Sequence, residues 1–310
     1  MGAYVPLRGV SRPADGARRT AVQTGSLDHR PVDARRGARR EPLNGDGWGV
    51  GWYDRERSPE PALHKRVRPA WNDDNMRHVS PLIETSLYFA HVRAASPGLS
   101  VQQLNCHPFT GGSGLHERDA DLDPVERGRR RLLFMHNGTL GAHREVIRRV
   151  RESLDDEFYF GIHGSTDSEH AFAVIQDELG RDVVEPSLDD LADAVHGALE
   201  RLETLRAEID EEAGTQATFC LTDGESIVAT RYATPGTAAQ SLYVGEAGSF
   251  ESGGEFCSTP DPEGTAATIV ASEALFEDDR VWREVPRNHR VTVAPGGTVS
   301  IDPIELEVVA

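Results

Sequence analysis

The 310 residues include 51 acidic and 33 basic side chains, a formal net charge of −18, and a field of that sign repels nucleic acid and anionic membrane alike. No apolar run is long enough to span a bilayer, and the N-terminus lacks the apolar centre of a signal peptide, so the chain reads as soluble and cytoplasmic. Cys106, Cys220 and Cys257 are odd in number, widely spaced and free of any C-x-x-C pair, which points to neither a disulfide framework nor a structural zinc site.

The charge is uneven. Residues 1–42 hold nine Arg and four acidic residues, a net of +5, and the remainder carries −23. Rich in Arg, Gly and Pro and without apolar periodicity, the first 42 residues are expected to form a disordered basic segment, followed by one domain over residues 43–310. Lys65 is the only lysine; Arg in place of Lys and an acid-rich surface would suit a high-salt cytoplasm.

In the stretch from Asn44 to Tyr53, glycines alternate with larger residues before an aromatic strand. That pattern fits a glycine-bearing hairpin entering a strand, and it lets another segment pass close to the backbone. No Gly-Lys-Ser/Thr follows, so it is not a phosphate loop. Residues 54–86 are polar, with one short helix expected near 75–83. A strand follows over residues 86–93, ending at Arg93, whose planar guanidinium is suited to holding a carboxylate through two bonds. In Asn105-Cys106-His107-Pro108-Phe109, Cys106 and His107 are adjacent, and neighbours on an extended chain point in opposite directions; a nucleophile–base pair is not expected there. Residues 111–131 read as a solvated loop.

A buried strand over residues 131–135 then runs into His136-Asn137-Gly138. Asn-Gly is first a tight-turn signal. It is also a way to aim two donors, the Asn137 amide and the Gly138 backbone N–H, at one developing oxyanion. A helix over 145–154 follows. Thr166 and Glu169 read as a capping box opening another helix; Asp167 between them is free to hold an ammonium group. From Ser187 onward Leu188, Leu191, Val195, Leu199, Leu202, Leu205 and Ile209 fall at helical steps and form a core stripe. Strands are expected at 217–221, 227–232, 242–245, 268–271, 291–293, 299–301 and 306–309. Helices in the middle and strands at both ends indicate an α+β fold with largely antiparallel sheets and helices on their outer faces.

Gly45-Asp46-Gly47-Trp48-Gly49, Ala90-His91-Val92-Arg93-Ala94-Ala95-Ser96, Asn105-Cys106-His107-Pro108-Phe109, His136-Asn137-Gly138 and Thr166-Asp167-Ser168-Glu169 occur in the order seen in class II glutamine amidotransferases. The sequence resembles the stand-alone members from about residue 43 to the end. The resemblance implies an N-terminal nucleophile hydrolase, a four-layer αββα sandwich of two largely antiparallel sheets. In that family an N-terminal cysteine attacks the glutamine amide with its own α-amino group as base. It also implies roles: Asn137 and Gly138 as the oxyanion hole, Arg93 with Ser96 for the substrate carboxylate, and Asp167 for its ammonium. His107 would be a supporting residue, and the loop of Asp46, Gly47 and Trp48 would lie against the nucleophile. No cofactor and no metal are implied; the ligand would be glutamine or a γ-glutamyl compound, with the ammonia passing to a separate enzyme or to solvent.

The sequence begins Met1-Gly2, with no cysteine before Cys106. The chain as it stands is therefore expected to bind glutamine without hydrolysing it. Three alternatives remain: a γ-glutamyl amidohydrolase of thiol-histidine biosynthesis, a non-catalytic glutamine-binding module, and a metal hydrolase suggested by the 12 histidines. The last lacks the helical i, i+4 histidine spacing of a zincin. Residues 1–42 also read as an out-of-frame translation. Tyr4-Val5-Pro6-Leu7, written TAT-GTG-CCG-CTN, becomes ATG-TGC-CGC one base later, or Met-Cys-Arg, with a compensating shift expected between about Asp33 and Leu43.

Overall fold

A computed structural model describes residues 19–24, 45–93, 101–111, 131–180, 183–247, 249–250, 256–257, 267–275 and 281–308. In chain order the strands are β1 (Arg19–Thr24), β2 (Trp48–Trp52), β3 (Ala62–Arg66), β4 (Leu87–Val92), β5 (Phe109–Thr110) and β6 (Leu133–Thr139). After the helices come β7 (Gln216–Thr222), β8 (Ile227–Ala233), β9 (Tyr243–Ala247), β10 (Ser249–Phe250), β11 (Phe256–Cys257), β12 (Ala267–Ala271), β13 (Trp282–Glu284), β14 (His289–Val293) and β15 (Val299–Pro303). The helices are α1 (Asp74–Val79), α2 (His143–Ser153), α3 (Asp156–Phe160), α4 (Asp167–Leu179) and α5 (Leu188–Ile209).

A seven-stranded sheet, in the order β13-β9-β12-β1-β4-β2-β3, faces a six-stranded sheet, β15-β14-β8-β7-β6-β5. The fold is the α+β sandwich expected from the sequence. Between the sheets lie Phe89, Leu133, Met135, Cys220, Ile227, Val244 and Val270. Alternate residues of β6 and β7 point the other way: Phe134 and Phe219 pack with Phe172 of α4 and with Leu191, Val195, Leu199 and Leu202 of α5. The Phe134 and Phe172 rings stack at 5.1 Å. On the far side of the seven-stranded sheet Trp48 and Val50 pack against Met76 of α1 and Ile83. Each large apolar side chain so buried stabilises the layers by about 1.5–3 kcal/mol.

Local chemistry sets the helix ends. The Ser187 hydroxyl accepts from Asp190 N–H, and the Asp190 carboxylate accepts from Ser187 N–H, a complete capping box for α5. At α4 only half the expected box forms. Thr166 Oγ1 accepts from Glu169 N–H at 3.1 Å, whereas the Glu169 carboxylate turns to the N–H groups of His163 (2.9 Å) and Gly164 (2.6 Å).

Three expectations need correction. Residues 1–42 were expected to be disordered, yet Arg19–Thr24 form β1, paired in parallel with β4 and β12 in a sheet whose other described pairs are antiparallel. β3 lies in a stretch with no legible strand pattern, its burial being uneven. Residues 306–308 are irregular and not a strand, and β13 supplies an edge strand instead. The loop expected at 111–131 lies mostly outside the described residues.

Candidate active site

β4 and β6 belong to different sheets and end side by side. The pleat places alternate residues on one face, so His91 follows Phe89 into the space between the sheets, and Asn137 follows Met135 from the opposite side. Beyond β4 the ladder continues by one residue: Arg93 N–H donates to Gly47 O (2.8 Å), and Asp46 N–H donates to Arg93 O (3.2 Å). Because Val92 faces outward with Trp48, Arg93 shares the inner face with His91. Its side chain is only 5% exposed, and neither Nη1 nor Nη2 has a hydrogen-bond partner among the described residues. A buried cation without a partner is costly unless a ligand supplies one.

The glycines of the β2 region face inward. A Cβ on Gly49 would stand 2.2 Å from the His107 carbonyl oxygen, and one on Gly47 would stand 2.7 Å from Cys106 Sγ. The segment over residues 106–108 thus lies directly on the strand backbone, the close approach that the alternating glycines permit. Trp48, on the other face, is turned away from Arg93 and packs near His64, ring centroids 5.2 Å apart. Its contribution is to the outer core.

Asn137-Gly138 is not a hairpin turn. Both residues lie within β6, opposite Thr218 and Ala217, and Asn137 lacks the positive φ that a type I′ turn requires. Gly138 has φ +140°, and a Cβ there would stand 2.0 Å from Gln216 O. The neighbouring His136 is fixed on both sides, with Nε2 3.1 Å from Gln216 O and Nδ1 3.0 Å from Ser168 Oγ. Since a carbonyl only accepts, Nε2 carries the proton and Nδ1 accepts from the Ser168 hydroxyl. Burial holds the imidazole below its usual range, against the pull of Asp167.

Asp167, half-buried at the first turn of α4, accepts from Leu140 N–H through Oδ2 (3.0 Å) and from Ser168 N–H through Oδ1 (2.8 Å). Its carboxylate is thereby pinned just beyond Asn137-Gly138. Asn105 prepares that helix start: its Oδ1 accepts from Ser165 N–H (3.1 Å), and its Nδ2 donates to Ser165 Oγ (3.3 Å).

Burial shifts the remaining groups away from their charged forms. His91 is pushed down to about 3, first by desolvation and then by His136 and Arg93. His107, its ring 4.3 Å from that of His91 and 4.7 Å from that of Phe109, is likewise lowered by burial. Both its nitrogens lack a partner among the described residues. Burial pushes the Cys106 thiol up, opposed by Arg93 and Lys65, and Sγ sits 3.6 Å from Gln102 O and 3.7 Å from Arg66 O. It is not an activated thiol. The lone lysine, Lys65, stands 5.5 Å over the Phe109 ring, its pKa lowered by burial.

Arg93 and Asn137 thus stand on the facing sheets where β4 and β6 end, Gly138 follows Asn137, Asp167 is tied to Leu140 just beyond, and Asp46 and Gly47 are bonded to the Arg93 backbone. Ser96 lies outside the described residues. Among the described residues no three His, Cys, Asp or Glu side chains gather as metal ligands. Sequence reasoning named His136, Ser168 and Lys65 but gave none of them a role in the site. Period-two counting from Phe134 would have placed His136 toward α4, but its partners come from distant residues.

The family model for class II glutamine amidotransferases matches residues 22–244. The probable glutamine amidotransferase DUG3 of Saccharomyces cerevisiae is 33% identical over 283 residues, covering 86% of this chain and 74% of that one. The gamma-glutamyl-hercynylcysteine sulfoxide hydrolase of Mycobacterium tuberculosis is 31% identical over 81 residues, 26% of this chain and 34% of that enzyme. Among solved structures, a glutamine aminotransferase class-II domain protein from Silicibacter pomeroyi superposes with TM-score 0.54 at 26% identity, covering 83% of this chain and 91% of that one. Glutamine phosphoribosylpyrophosphate amidotransferase from B. subtilis shares the fold, with TM-score 0.52 at 14% identity over 85% of this chain and 44% of its own length.

Proposed function

The chain belongs to the class II glutamine amidotransferases, and we propose that it binds glutamine or a γ-glutamyl amide at the end of the sandwich where Arg93, Asn137, Gly138 and Asp167 meet. The observation that carries this reading is the buried guanidinium of Arg93 with both terminal nitrogens unpaired among the described residues. An α-carboxylate would supply the missing partner in two parallel bonds, with Ser96 assisting. The Asp167 carboxylate would take the α-ammonium. The side-chain carbonyl would then lie toward the Asn137 amide and the Gly138 N–H.

Hydrolysis needs a nucleophile. The thiolate of an N-terminal cysteine would attack the amide carbon, its α-amino group relaying the thiol proton to the departing ammonia while Asn137 and Gly138 receive the oxyanion. Water would then release glutamate from the thioester. Cys106 does not serve, being buried with a raised pKa. The cysteine would come from a shifted frame in which Tyr4-Val5-Pro6-Leu7, if written TAT-GTG-CCG-CTN, reads Met-Cys-Arg. Without it the chain is a glutamine-binding module. No cofactor is invoked, and the compartment proposed is the cytoplasm.

Calorimetry with glutamine, combined with an ammonia assay and resequencing of the first codons, tests this. Binding is expected, with ammonia released only by protein bearing the N-terminal cysteine. Absence of glutamine binding overturns the reading. The named hydrolase relative favours a second substrate class, and turnover of larger γ-glutamyl amides in preference to glutamine would select it.

A further inference from the structure

Around the middle of α5 lies a buried polar cluster that the proposed function does not use. Glu203, 1% exposed in the middle of α5, accepts from three donors: Tyr232 Oη (2.9 Å), Thr234 Oγ1 (2.9 Å) and Arg206 Nε (3.3 Å). A buried carboxylate with three converging donors is fixed in place; burial first, and then Glu203, push the Tyr232 phenol up, so it stays a donor. From Thr234 the bonds continue towards the site. Thr234 Oγ1 accepts from Thr215 N–H (2.9 Å), and Thr215 Oγ1 accepts from Gly141 N–H (3.1 Å). Gly141 follows Leu140, whose N–H is the one that pins Asp167. Thr215 precedes Gln216, whose carbonyl lies against Gly138 and accepts from His136.

Arg206 closes the cluster from below. Its Nη1 donates to Asp210 O (3.1 Å) and Glu211 O (2.9 Å), fixing the loop after α5. Gly141 sits directly on it, since a Cβ there would stand 3.0 Å from Arg206 Cδ and 2.8 Å from Ala213 O.

We propose that Glu203 is a positioning residue: through Thr234 and Thr215 it clamps the Leu140-Gly141 turn and the Gln216 carbonyl, and so sets where Asp167 and Gly138 stand relative to each other. The effect on ligand rests on the glutamine-binding reading above; the clamp itself does not.

The test compares Glu203→Gln, Thr215→Val, Thr215→Ser and Tyr232→Phe in the full chain. Two quantities are read: glutamine Kd by calorimetry, and amide exchange at Leu140 and Gly141 by NMR. Glu203→Gln and Thr215→Val are expected to raise Kd and to speed exchange at both amides by about tenfold, the weight of one buried hydrogen bond. Thr215→Ser, which keeps the hydroxyl, is expected to restore both. Tyr232→Phe should lower Tm while leaving Kd and the two amides within about twofold of the parent, a separation that a merely stabilising role would not produce. Should Glu203→Gln fail to fold, Thr215→Val decides. Folded Thr215→Val protein with exchange at Leu140 and Gly141 unchanged overturns the clamp. If the parent does not bind glutamine, the functional reading fails, and the exchange rates alone still judge the clamp.

Discussion

The backbone N–H of Leu140 donates to Asp167 Oδ2 at 3.0 Å, tying the end of β6 to the first turn of α4. The carboxylate is thus held by a strand and a helix at once.

Replacing Asp167 with Asn keeps an oxygen for Leu140 but removes the charge. Glutamine binding is expected to weaken by about ten- to a hundredfold, the range for a charge-assisted hydrogen bond. An analogue of glutamine lacking the α-ammonium should bind the parent and the variant alike. A variant that discriminated against that analogue as strongly as against glutamine would show that Asp167 does not hold the ammonium.

Arg93→Ala removes a buried cation whose terminal nitrogens have no partner among the described residues. The expected outcome is lost affinity without lost stability: glutamine Kd rises by at least about tenfold, while Tm stays level or rises, because an unpaired buried charge costs the free protein energy. Arg93→Lys should recover little of the affinity, since an ammonium cannot make the planar two-bond contact. Calorimetry and a thermal melt on each variant decide it.

Asn137→Ala is informative in protein carrying the N-terminal cysteine. Losing one oxyanion donor should cut kcat for ammonia release on the order of a hundredfold with little change in KM. A change confined to KM would move Asn137 from the oxyanion hole to ground-state binding.

Gly49→Ala tests the close approach of the segment over residues 106–108. A methyl group 2.2 Å from the His107 carbonyl oxygen cannot be accommodated without moving one backbone from another. Destabilisation of about 1–3 kcal/mol or more is expected from urea unfolding, the cost of overpacking a filled interior.

Stability should fall with acid through the buried histidines. His91 is lowered from 6.5 to about 3 in the folded chain. Above about pH 6.5 neither state binds the proton and stability is at its plateau. Between about pH 6.5 and 3 the unfolded chain binds a proton that the folded chain refuses, so each such group removes up to about 1.4 kcal/mol per pH unit as pH falls. His107 and His136 are shifted in the same direction. Urea midpoints between pH 7 and 5 should drop, and His91→Gln should make that drop shallower by about one proton; an unchanged slope would exclude His91 as a contributor.

Much was legible from sequence because it depends on residues near one another in the chain. The stripe from Leu188 to Ile209, the Thr166 cap, the alternation in β4 and the glycines at 47, 49 and 51 each follow from local periodicity or backbone sterics. The family motifs pointed to Arg93, Asn137, Gly138 and Asp167 as candidates. What sequence left open was decided by contacts between distant segments. Asn137-Gly138 carries a hairpin signature, yet β7 pairs across it and makes it strand. Trp48 sits in a site motif, yet the register of β2 turns its ring to the outer core. β1 has no periodicity of its own and owes its strand form to the backbone groups of β4 and β12 on either side. The chain from Glu203 to Gly141 joins residues far apart in sequence, and no short-range pattern encodes that: a buried carboxylate is tolerated only where the tertiary fold brings its donors to it.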